Sequence, residues 1–598
     1  MQIDARTLST GETIETDVCI VGAGPAGITI AREFLGQSCR VSLLESGGFN
    51  PDDAIQSLAG DAGPSIGDYY PGARHMRTRQ FGGTANQWNI HMDKAQPTAA
   101  QPVTSHAVAN LCNLSAGQQQ RGVRYVPLDP IDFEQRDWVP YSGWPITKAD
   151  LDPYYERAHQ VCQIGPYSYS AEDWADEQAQ PLPFTGERVK THMFQFGGRE
   201  VFTEDYRRQI EQSNNITLYL YATVVELETD ESTQTVTRAR LKHLDGREFS
   251  IRARQFILAI GGLETARLLL LSNQQQAQGL GNQHDLVGRF LMDHPLVRSG
   301  IMVPPNPQVI QSLNLYDTRW MNGTMVLGKP VLTEATLRRE QLLNINAALF
   351  PRPEFCRFNP LRMLFPQGKR FRSPAVDAVQ ATVRQLKQGH MPENIPQTIL
   401  RTLGGLDDIA FYWWRKQQGI LHPYGLDTGG WSRLEDKQQQ FGCFEVFHVT
   451  EQAPDPHNRV TLGTERDQLG SPKMQLHWRW NEIDIRSARR AQDIFAEEFA
   501  QIGLGQLWLE RDRGVPFVML PSIHHHMGTT RMHNNPKQGV VDANCRVHDV
   551  PNLFIASSSV FPTGGYANST LTIIALAIRV ADQVKTELTK SHQIVQVS

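Results

Sequence analysis

Three consecutive histidines, His524, His525 and His526, precede Met527-Gly528-Thr529, and Asn568 stands farther on in a Gly564-Gly-Tyr-Ala-Asn-Ser-Thr570 run. Imidazole changes charge near neutral pH, so it can take a proton from a hydroxyl group without a strong base. An amide can hold the same oxygen by a hydrogen bond. Such a pair suits oxidation of an alcohol, in which a proton leaves oxygen and a hydride leaves carbon. No side chain accepts a hydride, so a redox cofactor is required. Three histidines in a row also raise the question of a metal. On an extended strand the outer two, His524 and His526, point away from the middle one. No acidic or cysteine partner stands at ligand spacing. No metal is expected, and His524 and His526 are assigned structural roles.

The elements that position this pair are legible. Asn552–Ala556 is a short apolar strand. Beyond Asn568, Leu571, Ile574, Ala577/Ile578, Ala581, Val584 and Leu588 recur at helical steps. The helix start, near 568–570, offers free N–H groups and a positive dipole end, which suits an anionic ring or a phosphate. At the other end of the chain Asp17–Val21 is an apolar strand. Gly22-Ala-Gly24-Pro-Ala-Gly27 opens a helix to about Leu35, and a second strand, Arg40–Leu44, ends at Glu45. Gly22 permits the tight turn, Gly24 lets backbone approach a pyrophosphate, and Gly27 lets helix and strand pack closely. Pro25 falls at the helix start, where it costs little. Glu45 lies where a carboxylate accepts ribose hydroxyls, which disfavours NADP; the turn alone does not separate FAD from NAD.

The run His525-His-Met-Gly-Thr529, Val540-Val-Asp542, Asn552-Leu-Phe-Ile-Ala556, Phe561-Pro-Thr563 and Ala567-Asn-Ser-Thr-Leu-Thr-Ile573 resembles the C-terminal signature of the glucose-methanol-choline (GMC) flavin oxidoreductases. Phe81-Gly-Gly-Thr-Ala-Asn-Gln-Trp88 resembles the family's second flavin segment. The resemblance spans about 15–298 and 440–585 and points toward the sugar and polyol dehydrogenases. It implies a Rossmann-type FAD domain built from discontinuous segments (1–95, 200–298 and 521–598). The rest is a connecting or lid segment (96–199) and a substrate domain with an antiparallel sheet and flanking helices (299–520): an α/β protein with an α+β second domain. It implies His525 as base, since the family's histidine lies three residues before the Gly-Thr pair, and Asn568 as partner to the substrate oxygen. In the pyranose-oxidase branch the active histidine falls where Thr530 stands here, so His525 has to serve. Flavin contacts are implied for Gly22, Gly24, Gly27, Glu45, Gly83, Thr84, Asn86 and Trp88, and for Val224, Gly261, Ser557, Ala567 and Thr570. The histidine that carries covalent flavin in that branch is replaced by Gln87, so noncovalent FAD is expected.

Between these motifs the pattern is mixed. Residues 96–123 are featureless, either disordered or a lid. A helix over 148–162 is expected, with Thr147 as N-cap. Phe202–Ser213 reads as a helix, and Ile216–Leu220, Thr223–Leu227, Val236–His243, Glu248–Ile251 and Gln255–Ile260 as strands. Gly261 opens a further helix. His294, in Met292-Asp-His-Pro295, is expected to be a structural hydrogen-bonder. A basic run covers 352–372, a solvated face or a dock for an electron acceptor. Helices are read over Pro374–Lys387 and Glu482–Gln501, and strands over 420–450 and Asn458–Leu462.

Composition bounds the rest. The chain has 598 residues, more than one core holds. The net charge of −5 leaves no basic footprint for nucleic acid. Seven scattered cysteines without Cys-x-x-Cys fit reduced thiols and a cytoplasmic setting. No secretory core or membrane-spanning run is read. The function expected is FAD-dependent oxidation of a sugar, glycoside or polyol alcohol, with hydride transfer to flavin N5. The acceptor is open between oxygen, a quinone and a redox protein. The rivals are an oxygen-using GMC oxidase and a tailoring enzyme for a secondary-metabolite or steroid alcohol.

Overall fold

Thr13–Val21 is a strand, the chain turns at Gly22–Gly24, and Pro25–Glu33 is a helix. Gly22 has φ of +101°, and a Cβ there would lie 2.6 Å from the Ala259 carbonyl oxygen; one on Gly27 would lie 1.9 Å from the Gly22 oxygen. Both glycines are therefore demanded by packing. Val41–Leu44 then runs parallel to Thr13–Val21, with Val18 opposite Val41.

These strands sit in an eight-stranded sheet. Its order is Gln2–Asp4, Ile216–Leu220, Val41–Leu44, Thr13–Val21, Glu248–Leu258, Val236–Lys242 and Val224–Thr229, with Leu553–Ile555 also on Glu248–Leu258. The computed structural model describes residues 1–92, 120–232, 234–353, 430–434 and 437–597, with the helix Ile395–Leu403 and isolated positions between 375 and 413. The two strands read over 248–251 and 255–260 are one, Glu248–Leu258. Its first half pairs antiparallel with Val236–Lys242, and its last three residues pair parallel with Leu553–Ile555. The Arg252-Ala-Arg254 interruption is no break, because both arginines reach acids on the neighbouring strand, Glu15 and Asp17. The segment read as one helix over 202–213 is a π turn, Val201–Asp205, followed by the α-helix Tyr206–Glu211.

A second sheet has eleven strands, all antiparallel. Leu296–Val303, Phe441–Thr450, Ile345–Pro353, Thr324–Leu332 and Val189–Gly198 form its middle. Gln120–Tyr125 and Val189–Gly198 belong to it, so the described part of the segment expected to be a lid is built into a sheet instead. That segment also holds the helix Lys148–Cys162, capped by Thr147 with Asp150 as expected. The helix packs on the C-terminal helix, Thr570–Val597, through Tyr155 to Thr572 (2.8 Å) and Arg157 to Asp582 (2.5 Å). Arg352 pairs with Glu445. The rest of the basic run, most of the helix read over Pro374–Lys387 and residues 93–119 lie outside the described residues. Glu482–Gln501 is the helix expected.

Candidate active site

A cavity of about 540 Å³ runs between the two sheets. Gly22, Gly24 and Glu45 line one end, with Gly83, Thr84 and Trp88 beside them. Val224, Gly261, Ser557 and Thr570 follow, and His525 and Asn568 lie on the same wall. Three residues expected at the cofactor do not line it. Gly27 is consumed by helix–strand packing. Asn86 donates from Nδ2 to the carbonyls of Phe81 and Gly83, both at 2.9 Å, and so braces the Gly-Gly turn from behind. Ala567 is buried in the core.

The Gly24 end fits a dinucleotide. A Cβ on Gly24 would find no atom nearer than the Gly83 Cα at 3.8 Å, so nothing in the protein explains that glycine; space for a ligand does. Gly24 is also the N-cap of Pro25–Glu33 and gives it no side-chain bond, so the first-turn amides face the cavity uncapped. Glu45 is buried; its Oε2 accepts from the Ala23 amide at 3.1 Å and its Oε1 from the Gly47 amide at 2.9 Å. Burial pushes this carboxyl up, against those two bonds. The carboxylate thus holds the turn and keeps lone pairs for a ribose. Nearby, Arg77 and Arg79 flank the half-buried Glu264 at 2.8 and 3.0 Å. Burial would raise that carboxyl, but Arg79, Arg77 and Arg267 hold it down at about 2. These charges were missed in the sequence because their spacing carries no motif.

At the other end the organising group is Asp293, fully buried. Its Oδ1 accepts from the amides of His294 (2.7 Å) and His525 (3.0 Å), and its Oδ2 from the hydroxyls of Ser522 (2.5 Å) and Tyr70 (2.6 Å). Burial would raise its pKa; the imidazoles of His526 and His525 with those hydroxyls override it and hold it below the usual carboxylate range. The histidines do not alternate as on a strand. His524 takes φ of +70° and is exposed, while His526 is buried with Nε2 at 3.3 Å from the Met76 sulfur. Ties to Asp293 bend the chain out of the extended form.

His525 lies between two partners. Its Nδ1 is 2.8 Å from His294 Nδ1, and its Nε2 is 3.3 Å from Asn568 Nδ2. An amide nitrogen can only donate, so Nε2 accepts and carries a lone pair. The His525 proton then sits on Nδ1 and is donated to His294. His294 is thus a hydrogen-bonder, as expected, and its partner is His525. Burial first, then the neighbouring His294, lowers the His525 pKa to about 3, so the ring is neutral over the working range. Asn568 is delivered by a turn at Gly565 (φ +52°), where a Cβ would strike the Asp132 carboxylate. Among the described residues no group of three or more His, Cys, Asp or Glu could hold a metal ion.

Residues 454–577, which contain the histidine stretch and Asn568, match the family described as GMC oxidoreductase. Over that segment the chain is similar to the GMC oxidoreductases. The chain is 23% identical to the fructose dehydrogenase large subunit of Gluconobacter japonicus, over 96% of this chain and 99% of that protein. It is 36% identical to the C-glycoside 3-oxidase of Arthrobacter globiformis over 132 residues, 21% of this chain and 24% of the relative. Among solved structures, formate oxidase from Aspergillus oryzae aligns with a TM-score of 0.48 and 16% identity over 98% of this chain and 100% of the other. The cofactor implied for a GMC oxidoreductase is FAD, and the Gly24 cradle, the uncapped helix start and Glu45 fit it. Among the described residues no helix is long and apolar enough to cross a membrane.

Proposed function

We propose that this protein is an FAD-dependent dehydrogenase that oxidises an alcohol group of a sugar, glycoside or polyol. The observation that carries the reading is the His525–Asn568 pair, 3.3 Å apart, on the wall of the cavity that also holds the Gly24 cradle. When bound, FAD supplies the acceptor for the hydride. The chain supplies the rest. His525 takes the hydroxyl proton at Nε2. Its Nδ1–H is held by His294, which keeps in place the tautomer whose Nε2 is unprotonated. Asn568 donates to the substrate oxygen as charge builds there. Asp293 fixes the backbone at both 294 and 525, so the two rings keep their separation.

Dissociable FAD is part of the proposal, since Gln87 lines the cavity and cannot form the covalent link. A cytoplasmic setting is supported by five described cysteines, Cys19, Cys39, Cys162, Cys443 and Cys545, all free. The similarity to fructose dehydrogenase along nearly the whole chain favours a non-oxygen acceptor. The shorter match to C-glycoside 3-oxidase, at higher identity, keeps oxygen use as the second reading. The test is anaerobic bleaching of the flavin band by a panel of sugars and polyols, then turnover with a dye acceptor beside an oxygen electrode. Failure of every alcohol to bleach a flavin-loaded enzyme overturns the proposal. Fast oxygen consumption without dye selects the second reading.

A further inference from the structure

The substrate-side sheet places one residue in the cavity that the proton transfer does not use. Lys329 lies on Thr324–Leu332, opposite His192 of the next strand, and is 3% exposed. Its Nζ donates to Asn346 Oδ1 at 3.3 Å and lies 4.5 Å from the centre of the Phe194 ring. No carboxylate of the described residues lies within 4.0 Å of that nitrogen, unlike the buried arginines Arg136, Arg267 and Arg298, each of which meets an acid. Two of its three N–H positions are left over. Asn346, 1% exposed, has an Nδ2 with no partner at all. Both residues line the cavity that His525 and Asn568 line. Buried donors without acceptors are costly in a finished fold, and here two of them converge. The lining also includes the apolar Leu296, Val449 and Leu520 and the cationic Arg124.

We propose that Lys329 and Asn346 form a subsite for a carboxylate carried by the alcohol substrate, so that the enzyme oxidises hydroxy acids of the aldonate type in preference to the matching neutral polyols. One amine and one amide supply donors to the two oxygens of a single planar carboxylate. Burial, followed by the charge of Arg124, holds the Lys329 amine well below the usual lysine range; a bound anion opposes both effects and favours the ammonium. The subsite fixes one end of the substrate while His525 meets a hydroxyl along its chain. This inference rests on the proposed alcohol oxidation at His525.

The test uses the FAD-loaded enzyme with D-gluconate and D-glucitol, which differ at one carbon. Flavin bleaching is followed anaerobically, and binding is titrated separately through the perturbation of the flavin band, which needs no turnover. The wild type is expected to bind and oxidise gluconate better than glucitol. Lys329→Met, which keeps the stem of the side chain and removes its amine, is expected to lose about 10- to 10²-fold for gluconate, the range of one hydrogen bond to a charged group, with little change for glucitol. Asn346→Ala should shift the same ratio by less. Glucitol bound as well as gluconate by the wild type, or equal loss for both in a Lys329→Met enzyme with normal flavin content, overturns the subsite. Bleaching by glucitol alone overturns it and leaves the proposed function standing. Gluconate binding without bleaching by either compound supports the subsite and counts against the proposed function.

Discussion

The two ends of the cavity are built in different ways. At the Gly24 end the core parts are consecutive: strand, turn and helix lie within residues 13–33, and Gly22 and Gly27 are set by contacts among those elements and the neighbouring Ala259. At the His525 end nothing is local. His525 meets His294 and Asn568, and Asp293 gathers Tyr70, His294, Ser522 and His525. A cofactor site of the first kind tolerates changes elsewhere in the fold. A catalytic site of the second kind depends on the relative placement of both sheets and is open to damage from far away in sequence.

The sharpest break is expected at Gly24. Gly24→Val should yield a folded protein without flavin, seen as loss of visible absorbance with an unchanged far-ultraviolet spectrum. The backbone has room for the side chain only where the ligand must sit. Retained flavin would put the nucleotide elsewhere. Next comes His525→Ala. Flavin reduction should slow by about 10²–10⁴, or ~3–5 kcal/mol of barrier, with flavin content unchanged. His526→Ala is expected to act through stability instead, since His526 packs on Met76 and away from the lone pair at issue.

Asp293→Asn tests the non-local end without touching the base. An amide in that place can accept from only one side, and about 1.5–3 kcal/mol per charged hydrogen bond is at stake. The expected result is a lower Tm together with a loss of roughly tenfold or more in flavin reduction. A normal rate would mean that the His294–His525 spacing does not matter. Glu45→Ala, at the local end, should weaken flavin retention by about 10-fold and leave the bleaching rate of the loaded enzyme unchanged.

The smallest effect is in pH. His525 and His526 are lowered to about 3 and about 4 by burial, from the ordinary 6.5. Between those values the unfolded chain binds more protons than the folded one, so stability falls as pH drops below about 6.5. Thermal scans from pH 7 to pH 5 should show a falling Tm, less steep in His526→Phe. Flavin reduction itself should stay flat over that range, because His525 remains neutral. An acid limb near 6.5 would contradict the buried, neutral ring.

What could be seen in the sequence follows the same division. The Gly22–Gly27 turn, the capped helix Lys148–Cys162 and the helix Glu482–Gln501 carry local periodicity or a compact motif, and each is present; the His525–Asn568 pair, 43 residues apart, was legible only through the family resemblance, and the two side chains do meet. Asp293 was passed over because an isolated acid beside a histidine has no signature until its distant partners arrive. Alternation misplaced His524 and His526 for the same reason: ties to Asp293 override the strand period. Residues 120–199 looked like a connection because their strands pair with partners far along the chain, such as Thr324–Leu332.

One feature of the first sheet bears on how the protein is made. Leu553–Ile555 closes against Phe256–Leu258, which is synthesised roughly 300 residues earlier, and at ~5–20 residues per second that gap lasts on the order of 15–60 s. Until then Phe256, Ile257 and Leu258 form an open apolar edge on the nascent chain. Such an edge invites pairing with another chain. Slow dilution on refolding is therefore expected to raise the yield of folded protein over rapid refolding at high concentration. A chain cut before Leu553 is expected to aggregate even though every residue of the dinucleotide turn is present.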